Sequence, residues 1–143
     1  MVFDAADSTE DYPYSNSLMK LWSGYMECTE DMASIHTEAL ISRVNTMGDN
    51  ILATGNSDDS LVRKLMSRLA LDYPGDRGAL CPLLLNCMTL EKGEAFFMGP
   101  NEPHAYISGD CVETMALSDN VVRAGLTPKF RDVKTLCSML NYR

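Results

Sequence analysis

Hydrophobic residues recur at helical spacing through the first half of the chain. In "YSNSLMKLWSGYMEC" the apolar positions fall on one face of a helix, with polar residues between them. These positions are Leu18, Leu21, Trp22 and Tyr25. The spacing predicts a first amphipathic helix, which needs a partner surface to bury its apolar face.

Two further segments carry the same period. "TEDMASIHTEALISRVNTMG" opens on Thr29 as an N-cap and ends near Gly48, with an apolar stripe of Met32, Ile35, Ala39, Leu40 and Val44. "DDSLVRKLMSRLALDYPGD" places Leu61, Val62, Leu65 and Leu69 on one face, and Pro74 with Gly75 stops it. The first half therefore predicts three amphipathic helices.

The pattern changes after Gly78. "ALCPLLLNCMTL" is an apolar run compatible with a strand or a buried helix, and the turn at residues 91–93 followed by residues 94–98 is typical of a β-hairpin. Short strands are also predicted at residues 110–116 and 120–124, before "DVKTLCSMLNY" returns to helical spacing. Short strands interrupted by glycine and proline favour an antiparallel sandwich or barrel of the jelly-roll type.

The fold class predicted from these patterns is α+β, a helical segment followed by part of an antiparallel jelly-roll barrel. Residues 1–77 form the helical segment with its polar leader, and residues 78–143 form the partial barrel domain. About four or five strands can be placed, whereas a jelly roll uses about eight. We therefore expect a fragment of a larger fold, truncated at both ends.

Charge and cysteine usage narrow the class of protein. With 12 basic and 20 acidic residues the formal net charge is −8, which disfavours nucleic acid and anionic membranes as partners. Five cysteines without a C-x-x-C pair indicate reduced thiols rather than a disulfide framework or a structural zinc site. No apolar run reaches membrane-spanning length, and the acidic start is unlike a signal peptide. A cytoplasmic location is expected.

One long stretch carries a family resemblance. "HAYISGDCVETMALSDNVVRAGLTPK", residues 104–129, resembles the C-terminal signature of the type I phosphomannose isomerases at every specified position. The stretch before it, "YPGDRGALCPLLLNCMTLEKGEAFFMGPNEPHAY", looks like the entry into the catalytic barrel of that family. The helices resemble its helical insertion more weakly.

The resemblance implies interconversion of mannose 6-phosphate and fructose 6-phosphate in a cupin-type barrel that holds one zinc ion. Of the four zinc ligands in the family, one histidine matches His104 here. Zinc is a Lewis acid that can polarise the sugar carbonyl or the adjacent hydroxyl while a proton moves between neighbouring carbons. A small sugar phosphate is the partner implied.

Two basic residues are candidates for catalysis, and the resemblance assigns a role to the first of them. Arg123 is expected to stabilise negative charge on the reacting oxygen or to position the substrate, whereas composition alone predicts a salt bridge to Glu113 or Asp119. Lys129 is expected to contact substrate oxygens or to move a proton, the alternative being a solvated lysine in a turn.

Three further residues are candidates for the substrate site. On a strand, Tyr106 shares a face with His104, so it either lines the pocket or packs in the core. Glu113 and Asp119 are expected to orient Arg123 or to fix the zinc-bound imidazole.

The chain also departs from the family pattern. The Gln-x-His and Asn-His-Lys-Pro-Glu segments that carry the other zinc ligands have no counterpart in this sequence. Two functions therefore stand: part of a zinc-dependent isomerase, inactive by itself, or a non-catalytic cupin-like module that binds a partner.

Overall fold

The computed structural model describes residues 13–47, 59–118 and 121–142. These ranges contain four α-helices and one 3₁₀ helix. The α-helices are α1 (Ser15–Glu27), α2 (Glu30–Met47), α3 (Asp59–Asp72) and α4 (Val133–Met139), and the 3₁₀ helix is Arg77–Leu83. The three helices predicted for the first half of the chain are confirmed.

The best-packed part of the core joins the two ends of the chain. Trp22 and Met26, one turn apart on α1, are buried against Leu136 and Cys137 of α4 and against Cys81 of the 3₁₀ helix. The i, i+4 spacing places both α1 side chains on one face. Trp22 is buried as predicted, whereas Leu21 of the predicted stripe is exposed and Met26, which was outside it, is buried. Helix α4 is short, so its stability depends on this tertiary contact.

Helix α2 starts where the sequence places it, but its buried face differs in part from the predicted one. The Thr29 hydroxyl accepts a hydrogen bond from the Met32 amide at 3.3 Å, which confirms the predicted N-cap. The predicted apolar stripe is partly wrong: Val44 is buried as predicted, but Ile35 is exposed, and Ala33 and Thr37 are buried instead. Small and β-branched side chains let α2 lie close to α3 and to the 3₁₀ helix, which both pack against it.

The first part of the apolar run after Gly78, residues 79–83, lies in the 3₁₀ helix. The Asp76 carboxylate caps its start by accepting from the Gly78 amide at 2.6 Å, and Ala79 and Cys81 are buried. This run was compatible with a strand or a buried helix, and the structure decides for a helix of the 3₁₀ type.

The predicted α+β class with part of a jelly-roll barrel is wrong, because no residue of the described ranges lies in a strand or a sheet. The turn after Glu91 is present, with the Glu94 amide donating to the Glu91 carbonyl at 3.0 Å, but residues 94–98 form no ladder. Residues 110–116 and the described part of the third predicted strand, residues 121–124, are likewise unpaired. Alternating apolar residues favour an extended backbone, whereas a sheet needs a second strand within hydrogen-bonding distance.

Helix α4 is held at both ends. The Asp132 carboxylate accepts from the Thr135 amide at 3.0 Å and from its hydroxyl at 2.7 Å, and these hydrogen bonds lower the pKa of Asp132. Beyond the helix, the Tyr142 hydroxyl donates to the Cys137 carbonyl at 2.7 Å, and the Asn141 side chain donates to the Pro100 carbonyl. Residues 100 and 101 are thereby attached to the end of α4.

The core crosses the proposed boundary between residues 77 and 78, since α1 packs with α4 and the 3₁₀ helix. The division into two domains stays a prediction. Within the described ranges, no helix combines the length and the apolar character that crossing a membrane requires.

Candidate functional site

His104 lies on an exposed stretch, and hydrogen bonds of Glu102, in the preceding loop, hold its imidazole ring. The Glu102 carboxylate accepts from the Gly99 amide at 3.1 Å, and the Glu102 carbonyl oxygen lies 3.0 Å from Nδ1 of His104. A carbonyl oxygen can only accept, so Nδ1 carries the proton. In the neutral imidazole, Nε2 then keeps its lone pair. This is the arrangement in which a histidine can ligate a metal through Nε2.

Tyr106 and Glu113 lie beside His104. The rings of His104 and Tyr106 meet edge to face, with their centroids 5.8 Å apart. The Tyr106 hydroxyl donates to Oε1 of Glu113 at 2.7 Å, and this hydrogen bond is the main cause of the raised pKa of Tyr106. The phenol oxygen keeps its lone pairs and can still accept a hydrogen bond from a ligand hydroxyl. Glu113 therefore contacts Tyr106 rather than Arg123.

Arg123 is half-buried, and the described residues offer it neither an ion pair nor a hydrogen bond. The salt bridge to Glu113 that composition predicts is absent, since Glu113 is engaged by Tyr106. Asp119, the other predicted partner, lies outside the described residues. The guanidinium carries five donors, because arginine remains protonated in proteins, and within the described residues none of them is engaged.

Lys129 occupies a different position from the residues around His104. It is exposed and lines an open cleft of about 640 Å³, together with Arg77, Thr127, Arg131 and Lys134. Its amide donates to the Thr127 hydroxyl at 3.2 Å, which stabilises the Thr-Pro-Lys turn. Lys129 is therefore one of four basic residues that line this cleft.

Tyr106 lines a second, smaller cleft of about 310 Å³. Its walls include Arg68 and Asp72 of α3 and the backbone near Gly125. Arg68 forms an ion pair with Asp72 at 3.5 Å and donates to the Ile107 carbonyl at 3.3 Å. The structure thus brings His104, Tyr106 and Glu113 together, and it leaves Lys129 in a separate cleft.

The expected zinc ion can be tested against the donor groups present. A single neutral imidazole with its Nδ1 proton engaged suits zinc. However, the described part of the chain contains no group of three histidine, cysteine or carboxylate side chains close enough to share a metal. Since zinc in proteins takes three or four protein ligands, these residues do not form a zinc site by themselves.

One cluster of residues was not anticipated as part of the site. Asp76 contacts the backbone of two segments: its Oδ1 accepts from the amide of Gly78 at 2.6 Å and from the amide of Leu126 at 3.0 Å. Arg131 reaches Oδ2 of Asp76 at 3.5 Å and Glu30 of α2 at 2.9 Å. The only sequence signal was an aspartate two residues before a glycine after a helix stop, which indicates a local turn and gives no hint of a contact 50 residues away.

Comparison with known proteins supplies the class. No protein-family model matches the chain. Curated relatives from distant organisms do match: a mannose-6-phosphate isomerase of Rattus norvegicus is 46% identical over 123 residues, 84% of this chain and 29% of the relative. One of Cryptococcus neoformans is 45% identical over 141 residues, 99% of this chain and 31% of the relative. Mannose-6-phosphate isomerase 2 of Arabidopsis thaliana is 42% identical over 142 residues, with the same two shares.

These relatives are named as isomerases of a phosphorylated sugar, so the chain is similar to enzymes of that class. The particular proteins that the chain resembles are the mannose-6-phosphate isomerases, and the resemblance seen in residues 104–129 is confirmed. The chain spans about 29–31% of the length of the relatives compared here.

Proposed function

We propose that this chain provides part of the active site of a mannose-6-phosphate isomerase, which interconverts mannose 6-phosphate and fructose 6-phosphate. The observation that carries the proposal is the 42–46% identity to enzymes of that name over 84–99% of the chain. Two observations support it: no ion pair joins the Arg123 guanidinium to another described residue, and His104 is exposed with its Nδ1 proton engaged by the Glu102 carbonyl.

His104 is proposed as one zinc ligand, and the remaining donors must come from outside the described residues. A zinc ion, when bound, supplies a Lewis acid for the sugar oxygens. The Glu102 carbonyl holds the imidazole in the tautomer that leaves Nε2 free. Removal of this ligand is therefore expected to weaken the metal site directly.

Arg123 is proposed to stabilise the negative charge that develops on the substrate oxygen as a proton moves between the two neighbouring carbons. A partly buried guanidinium is suited to this because desolvation strengthens its interaction with an oxyanion. Its permanent charge makes it a poor proton carrier, so the proton must pass through another group. Lys129 remains the candidate for proton movement or for contacts to substrate oxygens.

Tyr106, Glu113 and Asp119 are proposed as residues of the substrate site. The Tyr106 hydroxyl donates to Glu113, and its oxygen can accept from a sugar hydroxyl. The sugar, Tyr106 and Glu113 would then form a short chain of hydrogen bonds. Asp119 is proposed to orient Arg123 or to fix the zinc-bound imidazole.

The partner is a small sugar phosphate. The net charge of −8 disfavours nucleic acid and anionic membranes. The five cysteines, all within the described residues, form no disulfide, which supports a reducing compartment such as the cytoplasm.

The test uses a chimera in which this chain replaces the matching part of the Rattus norvegicus enzyme. The isolated 143-residue chain should show no turnover of mannose 6-phosphate with zinc added, whereas the chimera should be active. In the chimera, His104→Ala should lose zinc and activity together. Arg123→Ala should keep zinc while kcat falls by about 100-fold or more, and Arg123→Lys should restore part of it.

His36→Ala and Arg43→Ala are matched controls, because both side chains are exposed on α2. Both should leave zinc content and kcat unchanged. A folded, zinc-loaded chimera without activity would contradict the proposal and favour a binding module without catalysis. Near-normal kcat in Arg123→Ala would remove the arginine from the reaction.

A further inference from the structure

The backbone around residues 123–129 is held in an unusual conformation. Leu126 has a φ of 55°, in the left-handed region that non-glycine residues seldom adopt. Such a conformation is strained and persists only where the surroundings enforce it. Leu126 lies three residues after Arg123 and three before Lys129, so its geometry sets how the two basic residues are related in space.

The surroundings that enforce this conformation come from residues 76–78. The Leu126 amide donates to Oδ1 of Asp76 at 3.0 Å, and the same oxygen accepts from the Gly78 amide at 2.6 Å. One carboxylate oxygen thus bridges the start of the 3₁₀ helix and the turn at Leu126. The Asp76 side chain is only 13% exposed, so water competes weakly for these hydrogen bonds.

Close backbone packing supports the same contact. A Cβ added at Gly125 would lie 2.8 Å from the Gly78 Cα and 2.9 Å from Oδ1 of Asp76. A Cβ added at Gly78 would lie 2.7 Å from Cγ of Leu126 and 2.8 Å from its amide nitrogen. The two glycines therefore allow the backbones to meet at a distance that other residues forbid.

A second link comes from the other side of the segment. Arg131 lies two residues after Lys129, and its guanidinium contacts Oδ2 of Asp76 at 3.5 Å and Glu30 at 2.9 Å. The two oxygens of Asp76 thus contact the chain both before and after Lys129. No other described carboxylate bridges residues 125–131 to the 3₁₀ helix in this way.

We propose that Asp76 is a positioning residue of the isomerase site: through the Gly78 and Leu126 amides and the Arg131 guanidinium it holds the turn that places Arg123 and Lys129. It does not contact either of these side chains, so it acts through the backbone. The proposal rests on the proposed function only for the effect on catalysis, because the effect on the turn can be measured without substrate.

The first arm of the test uses the 143-residue chain. Hydrogen exchange at the Leu126 amide should speed up by at least about tenfold in Asp76→Ala, since the amide loses its acceptor. Asp76→Asn should keep most of the protection, because the amide oxygen of asparagine still accepts from both backbone N–H groups. Asp31→Ala is the control, since Asp31 is an exposed carboxylate on α2, and it should leave exchange at Leu126 unchanged.

The second arm uses the chimera described above. Asp76→Ala should lower kcat by about 10-fold to 100-fold, expressed per folded molecule, with KM changed less, because a displaced guanidinium is most costly in the transition state. Asp76→Asn should recover most of this kcat. A purely stabilising role would lower the yield or Tm of Asp76→Ala and leave kcat per folded molecule unchanged.

The outcomes separate the two proposals. Unchanged exchange at Leu126 in Asp76→Ala overturns the positioning role whatever the chimera does. Faster exchange with unchanged kcat in an active chimera overturns its importance for catalysis. A third outcome combines the two arms: exchange in the 143-residue chain is faster in Asp76→Ala and slowed again in Asp76→Asn, but the unsubstituted chimera is inactive. This outcome supports the contact and counts against the proposed function alone.

Discussion

Among single residues, the cysteines differ sharply in their surroundings. Cys81 is buried in the 3₁₀ helix, and burial, with a smaller contribution from the negative charge of Asp76, raises its pKa from 9.0 to about 12. Cys111 is exposed on the segment that joins Tyr106 to Glu113. Because the thiolate is the nucleophile, these surroundings predict different reactivity for two thiols of the same chain.

We therefore expect iodoacetamide at pH 8 to modify Cys111 readily and to leave Cys81 intact in the native chain. The raised pKa alone lowers the thiolate fraction of Cys81 by about a thousandfold, and burial slows access further. Mass spectrometry of tryptic peptides over time measures both rates. Urea should make the two rates similar, and equal rates in the native chain would contradict the buried position of Cys81.

At the scale of elements, the contact between the turn at Gly125 and the 3₁₀ helix depends on the absence of a side chain. Gly125→Ala should destabilise the chain by about 1–3 kcal/mol, because the new methyl group would overlap the Gly78 backbone. Urea unfolding followed by circular dichroism measures the change.

Gly24→Ala is the matched control. Gly24 lies within α1, and a Cβ added there has no neighbour within 4 Å. This substitution should stabilise the chain by about 0.5–1 kcal/mol, since alanine loses less backbone entropy in a helix. Similar effects of the two substitutions would show that the close contact at Gly125 is absent.

The molecule as a whole exposes many large apolar side chains between residues 88 and 130. Val112 is 94% exposed and Leu117 fully so, and Phe97, Val121 and Phe130 are largely exposed as well. A single exposed leucine is ordinary, whereas several along one segment form a surface that favours association.

The isolated chain should therefore bind a hydrophobic dye such as ANS. The double substitution Val112→Ser with Leu117→Ser should lower the fluorescence, while Leu71→Ser should change it little, because Leu71 is a single exposed leucine on α3 and does not belong to residues 88–130. A chain that binds no dye and stays monomeric at high concentration would exclude such a surface.

Alkaline pH should destabilise the whole molecule. Burial is the main cause that raises the pKa of both Tyr25 and Cys81 to about 12, so the folded chain holds protons that the unfolded chain releases above about pH 9 to 10. The stabilisation from these two groups is complete below pH 9 and is lost as the pH rises towards 12.

Urea unfolding at intervals between pH 8 and 11 measures this effect. The midpoint should fall as the pH rises, and Cys81→Ala should make the decrease shallower because one titrating group is gone. A midpoint that stays constant over this range would show that neither group is buried as described.

Local patterns in the sequence determined the helices and their ends. Thr29 and Asp132 cap α2 and α4 through hydrogen bonds to residues three positions later, and Pro74 with Gly75 follows the end of α3. The signature in residues 104–129 indicated, without any coordinates, the resemblance that the relatives confirm. These features could be predicted because they depend on neighbours in the sequence, whose distances are set by the covalent chain and the helical period.

Only the tertiary structure decided the remaining features. Short apolar segments between turn residues indicated strands, yet no residue of the described ranges lies in a strand, so no sheet forms in these ranges. The choice of Thr37 over Ile35 for the buried face of α2, and the bridge from Asp76 to Leu126, depend on contacts between elements distant in sequence. Such contacts follow from the arrangement of the whole chain, because a side chain's burial depends on which surface packs against it and its own period cannot specify that surface.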